Sequence, residues 1–175
     1  MRRRVQFGFL HLVCVLLAVG CSAKPIAKTN QSSDPAEGPV VRVYLLDGEY
    51  YEKRAVETGE EGPFAAPDNS FRTWPILDSR RITAQEIASS IREAISDPAN
   101  FGGGGADCFN PGLGISIDEG DKQVDAVVCI ECEWVYRYEP GKEVEKETLS
   151  AAGKEKFARL YAEVFPEESQ QQRGK

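Results

Sequence analysis

From Val124 to Tyr138 the sequence alternates in character for fifteen residues. Val124, Ala126, Val128, Ile130, Cys132, Trp134, Tyr136 and Tyr138 share one parity; Asp125, Cys129, Glu131, Glu133 and Arg137 share the other, with Val127 and Val135. Side chains of a strand point to opposite faces with a period of two, so this run reads as one strand with a core face and a mostly wet face. Such one-sided burial belongs to antiparallel sheets, because parallel sheets are covered on both faces.

Shorter signals complete the outline. Val40 to Leu46 (VVRVYLL) is rich in β-branched residues and reads as a strand, and Asp47-Gly48 is a two-residue hairpin signal with Glu49-Tyr50-Tyr51 as a short return. Residues 57–70 read as a loop, and Phe71 to Ile82 as a second strand that Pro75 confines to an edge or a bulge. Thr83-Ala84-Gln85-Glu86 has the form of a capping box, with Thr83 as the cap. Ile87, Ile91 and Ile95 then recur every four residues as a helical stripe, until Pro98 stops it. Leu113 to Ile117 is a strand, Asp118 to Lys122 a turn, and Ser150 opens a helix carrying Phe157, Leu160, Tyr161 and Val164, closed by Pro166. The order β-β-α-β-β-α predicts a two-layer α+β domain: an antiparallel sheet of about four strands with two helices packed on one face.

The first 21 residues, MRRRVQFGFLHLVCVLLAVGC, place three arginines before an apolar stretch from Val5 to Val19. Fifteen residues of helix span only about 22 Å at 1.5 Å per residue, short of a ~30 Å hydrocarbon core. The segment reads as a cleaved signal peptide, 1–20. Leu17-Ala18-Val19-Gly20-Cys21 resembles the lipobox of bacterial lipoprotein precursors, with Ala18 where leucine is usual. The resemblance implies that Cys21 is lipidated and becomes the mature N-terminus. Several acyl chains would hold firmly, since each buried CH₂ contributes ~0.8 kcal/mol. Ser22, a residue other than aspartate after the cysteine, implies the outer membrane facing the periplasm rather than the inner membrane.

Residues 21–39 then form the lipidated cysteine and a flexible tether rich in proline and small polar residues; 40–166 form a single domain, and 167–175 a disordered tail. The formal charge is −7, and removing Arg2, Arg3 and Arg4 leaves 18 of the 21 basic residues against 28 acidic ones, a net −10. That charge repels phosphate backbones and argues against a nucleic-acid partner. The membrane, reached through the lipid, is the one partner the sequence implies.

Cleavage also removes Cys14 and the chain's single histidine, His11, leaving Cys108, Cys129 and Cys132. Export favours a disulfide. Within a strand, Cys129 and Cys132 stand about 10 Å apart, beyond the ~7 Å a bridge allows. Pairing the strands about Gly120-Asp121 gives residue numbers summing to 241, so Phe109 lies beside Cys132. A one-residue bulge at Asn110-Pro111-Gly112 then brings Cys108 opposite Cys132. Cys108–Cys132 is the favoured pair and Cys129 the rival partner.

No metal or cofactor is expected. Three thiols with Glu131 or Glu133 make a poor zinc set, and these glutamates read as a solvated sheet face. Asp118, Glu119, Asp121 and Asp125 lack calcium-loop spacing and read as a polar hairpin tip. Gly102 to Gly105 has no following Lys-Ser or Lys-Thr, so it reads as a flexible linker, not a phosphate loop. Trp74, Trp134, Tyr136 and Tyr138 read as core residues. Without histidine a serine triad of the usual kind is excluded, and no catalytic residue is identified. The runs Cys-Phe-Asn-Pro-Gly-x-Gly-Ile (108–115) and Val-Asp-Ala-Val-Val-Cys-Ile-Glu-Cys (124–132) resemble a pattern in small exported bacterial proteins of unknown function. The expectation is a lipid-anchored envelope protein acting as a binding or structural interaction module; the alternative is a thiol-redox protein or other enzyme using Cys129 and Cys132.

Overall fold

Two non-glycine residues, Arg72 and Glu133, hold φ near 60°, and each turns the chain where the sequence suggested a continuous strand. The structure, a computed structural model, describes residues 39–59 and 64–173; the leader, Cys21 and most of the tether lie outside the described residues. Seven strands form one antiparallel, curled sheet: β1 (Val40–Leu46), β2 (Ser70–Phe71), β3 (Trp74–Ile82), β4 (Leu113–Asp118), β5 (Gln123–Cys129), β6 (Trp134–Tyr138) and β7 (Glu145–Thr148), in the order β2-β3-β1-β4-β5-β6-β7. Four α-helices occur among the described residues: α1 (Tyr50–Thr58), α2 (Gln85–Ser96), α3 (Ala151–Val164) and α4 (Pro166–Arg173).

This corrects the expected four strands and two helices. The run 71–82 is a hairpin, folded at Arg72-Thr73, and 124–138 is another, folded between Cys129 and Trp134. The single face expected for the even-numbered residues is also corrected: Cys129 pairs with Trp134 and Asp125 with Tyr138, so parity switches at the turn and Trp134, Tyr136 and Tyr138 share the face of Asp125 and Val127, not that of Val124 and Val128; β5 from Asp125 to Cys129 is buried on both faces. The expected return strand at Glu49 is instead the start of α1, whose C-cap, Gly59, takes the left-handed conformation. Helix α2 begins one residue later than the capping box suggests. Its N-cap is Ala84, in extended backbone, and no side chain caps it. Helix α3 is capped by Ser150, whose hydroxyl accepts from the Gly153 amide at 3.1 Å.

The β4–β5 register runs from Leu113 opposite Val128 to Asp118 opposite Gln123. On one face of the sheet Val41, Val43, Leu113, Ile115, Ala126 and Val128 meet Ile91 and Ile95 of α2 and Phe157 and Leu160 of α3 in the main core. A Cβ on Gly153 would stand 2.0 Å from the Asn100 carbonyl oxygen, so α3 can pack this closely only on glycine.

Candidate functional site

Among the described residues, the opposite sheet face carries no helical layer of that kind. Strand register puts Arg81, Arg42, Ser116, Asp125 and Tyr138 in one cross-sheet row, and Ser79, Tyr44, Gly114, Val127, Tyr136 and Lys146 in the next. The β2–β3 turn folds over these rows. The Phe71 ring stacks on Tyr44 with centroids 4.4 Å apart and lies so close to Gly114 that a Cβ there would meet it at 2.6 Å. Arg72 places its guanidinium 4.6 Å from the centre of the Tyr138 ring and ion-pairs with Asp125, whose other oxygen accepts from Gln123 Nε2 at 3.2 Å. Asp125 is only 3% exposed, so this carboxylate belongs to a buried, paired group and not to a wet hairpin tip.

Beside the pair runs a chain of rings. Tyr51 of α1 meets Trp74 at 4.9 Å, Trp74 meets Phe109 at 5.8 Å, and Phe109 meets Tyr136 at 4.5 Å. Lys146 Nζ stands 3.8 Å above the Trp134 ring. The rings are half-buried, against Leu46, Phe71 and Val127 as a second small core. Burial pushes the Tyr44 and Tyr138 phenols upward, with Arg42 and Arg72 respectively acting in the opposite sense. Sequence reasoning missed Tyr51, Phe109, Arg72 and Lys146. Only Lys146 follows from strand register, through its pairing with Tyr136; Tyr51, Arg72 and Phe109 are brought in by α1, the β2–β3 turn and the segment before β4.

The three thiols converge at the end of these rows. Cys108 and Cys132 form a disulfide with Cα atoms 5.7 Å apart, and Cys129 is a buried free thiol. The pair Cys129 and Cys132 lies in a tight turn, not mid-strand: the Cys132 amide donates to Cys129 Sγ at 3.3 Å. Burial pushes the Cys129 thiol up, against the backbone amides that favour its ionised form. A thiol held protonated is a weak nucleophile. Glu133 does not sit on a solvated sheet face but in the turn, where it accepts from Lys154 Nζ at 2.8 Å.

The glycine run is a fixed strap instead of a flexible linker. Gly102 donates its amide to the Thr148 carbonyl at 2.9 Å, Ala106 to the Cys132 carbonyl at 3.0 Å, and Trp134 Nε1 to the Ala106 carbonyl at 2.7 Å. A Cβ on Gly105 would lie 2.4 Å from the Trp134 ring. The strap and disulfide together lace the 101–108 segment to β6 and β7.

Among the described residues no group of three or more His, Cys, Asp or Glu is arranged to hold a metal ion, and no helix is long and apolar enough to cross a membrane. The class that fold and site define is a one-chain antiparallel sheet, helix-backed on one side, with an aromatic and cationic opposite face. Compared with protein families, curated proteins and solved structures, the chain matches none.

Proposed function

We propose that this is a lipid-anchored cell-envelope protein, held by acylated Cys21 to a bacterial membrane, preferentially the outer membrane facing the periplasm, and acting by binding rather than by thiol chemistry. The observation that carries the binding half is the cluster of partly buried rings and cations laid over the sheet face opposite α2 and α3. Tyr136, Trp74, Phe109 and Lys146 are grouped there, and Arg72 and Asp125 fix the turn that frames them. Half-exposed rings beside cations are a common composition for recognition surfaces. The anchoring half rests on the basic cluster, the short apolar stretch and the small residues before Cys21.

Against the redox alternative stands the burial of Cys129, since redox pairs depend on an accessible thiol of lowered pKa. Two measurements test the proposal. Cys21→Ser should release the protein from the membrane fraction; retention of the variant there would overturn the lipid anchor. The protein should reduce insulin no faster than background in the presence of dithiothreitol, and clear acceleration that disappears in Cys129→Ser would establish the thiol reading instead.

A further inference from the structure

Strand β3 pairs with β1 on its inner side from Ile76 to Ile82. On its outer side β2 covers only Trp74 and Pro75, and the Ile76 amide donates to the Asn69 carbonyl at 3.0 Å. From Leu77 onward, among the described residues, no strand lies against this edge. Which backbone groups face outward follows from β1. The Leu46 amide donates to the Gly112 carbonyl, away from β3. Alternation turns Tyr44 and Arg42 the same way, so their cross-strand partners Ser79 and Arg81 aim their amides and carbonyls outward. The Ser79 amide agrees: its acceptor is the carboxylate of the preceding Asp78, at 2.7 Å. Ser79, Arg80 and Arg81 are exposed, and Leu77 is 62% exposed.

A charged edge refuses most partner strands. This one matches a copy of itself. Asp78 and Arg80 share a face on either side of Ser79 and ion-pair at 2.7 Å. An antiparallel copy centred on Ser79 sets Asp78 of each chain opposite Arg80 of the other, twice over by symmetry. Those are non-hydrogen-bonded positions, where Cα atoms stand only about 4.5 Å apart and side chains meet most closely. The two Ser79 residues exchange backbone bonds, and Leu77 enters the junction. Other centres fail. One at Asp78, Arg80 or Arg81 opposes like charges. One at Leu77 runs into β2, and one between two residues sets outward groups against inward ones. Arg81 serves through its backbone, whatever its guanidinium meets.

We infer that two copies of this chain join edge to edge through β3, about a two-fold axis at Ser79, with Asp78 of each opposite Arg80 of the other.

The test is cross-linking of the full chain in whichever cell fraction holds it. Ser79→Cys sets two thiols across the axis, at the Cα separation of about 5.5 Å of a hydrogen-bonded pair, which a disulfide spans. Under mild copper-phenanthroline oxidation this variant should run as a dimer on non-reducing gels, while Arg159→Cys, on the exposed side of α3, stays monomeric. Adding Asp78→Arg to Ser79→Cys opposes cations twice and should cut the dimer yield about tenfold. Adding Arg80→Asp as well exchanges the two charges and should restore it. Circular dichroism checks each fold; should Asp78→Arg misfold, Arg80→Asp with Ser79→Cys carries the comparison. The inference is overturned if Ser79→Cys dimerises no more than Arg159→Cys, or if the folded charge variants do not follow this loss and recovery. Neither result depends on Cys21 or on the ring cluster, so failure here leaves the anchoring and binding readings untouched.

Discussion

Gly103 and Gly104 are neighbours of identical chemistry that meet very different surroundings. A Cβ on Gly103 would sit 1.9 Å from the Leu149 carbonyl oxygen, which is backbone and cannot swing aside, whereas one on Gly104 would meet nothing within 4 Å. Overpacking of this kind typically costs about 1–3 kcal/mol, so Gly103→Ala is expected to lower stability by that amount. Gly104→Ala has room, and by restricting the unfolded chain it should raise stability by roughly 0.4–1 kcal/mol. Urea midpoints of the two variants check this, and equal shifts would mean that the strap does not pack on Leu149. The same contrast explains why a run of four glycines misleads. As composition it signals freedom, yet here individual positions are glycine because a carbonyl or the Trp134 ring occupies the place of a side chain.

At the level of elements, what the sequence discloses depends on whether a turn announces itself. The β4–β5 hairpin does so through Asp118-Glu119-Gly120-Asp121, and its register follows from that centre. Helices α2 and α3 are legible because their isoleucine and aromatic stripes keep helical spacing over three turns or more. The β5–β6 turn is silent: Ile130-Glu131-Cys132-Glu133 contains no glycine, proline or asparagine, and its left-handed position is a glutamate. What holds that glutamate is tertiary. The Leu149 amide donates to its carbonyl at 2.8 Å and Lys154 reaches its carboxylate, both from residues far along the chain. Arg72 is the parallel case, kept in its left-handed conformation by Asp125 on a strand 53 residues away. Since these two turns shape the face opposite α2 and α3, the main core was legible in the sequence while the candidate binding face was not. Phe109 shows the same limit: nothing local marks it, and it becomes part of the face because the disulfide and strap deliver it to Tyr136.

Among the described residues, four buried or half-buried acids whose neutral form carries the proton act in the same direction. Burial pushes up the Cys129 thiol and the Tyr44, Tyr138 and Tyr161 phenols. In each case the native protein keeps its proton to higher pH than the unfolded chain does. Below the ordinary thiol value of 9.0 both states are protonated, and these groups leave stability independent of pH. As pH rises through that value the unfolded thiol ionises first, unfolding releases a proton, and stability falls until the native thiol also titrates. The phenols extend the loss above their ordinary value of 10.0. The urea midpoint should therefore decline progressively from about pH 9 upward. Cys129→Ala removes the earliest part of this loss, so its decline should begin nearer the phenol range, whatever its stability at neutral pH. Parallel declines of wild type and Cys129→Ala from pH 9 would show that the thiol is solvated in the folded protein, and would remove the main physical objection to Cys129 as a reactive group.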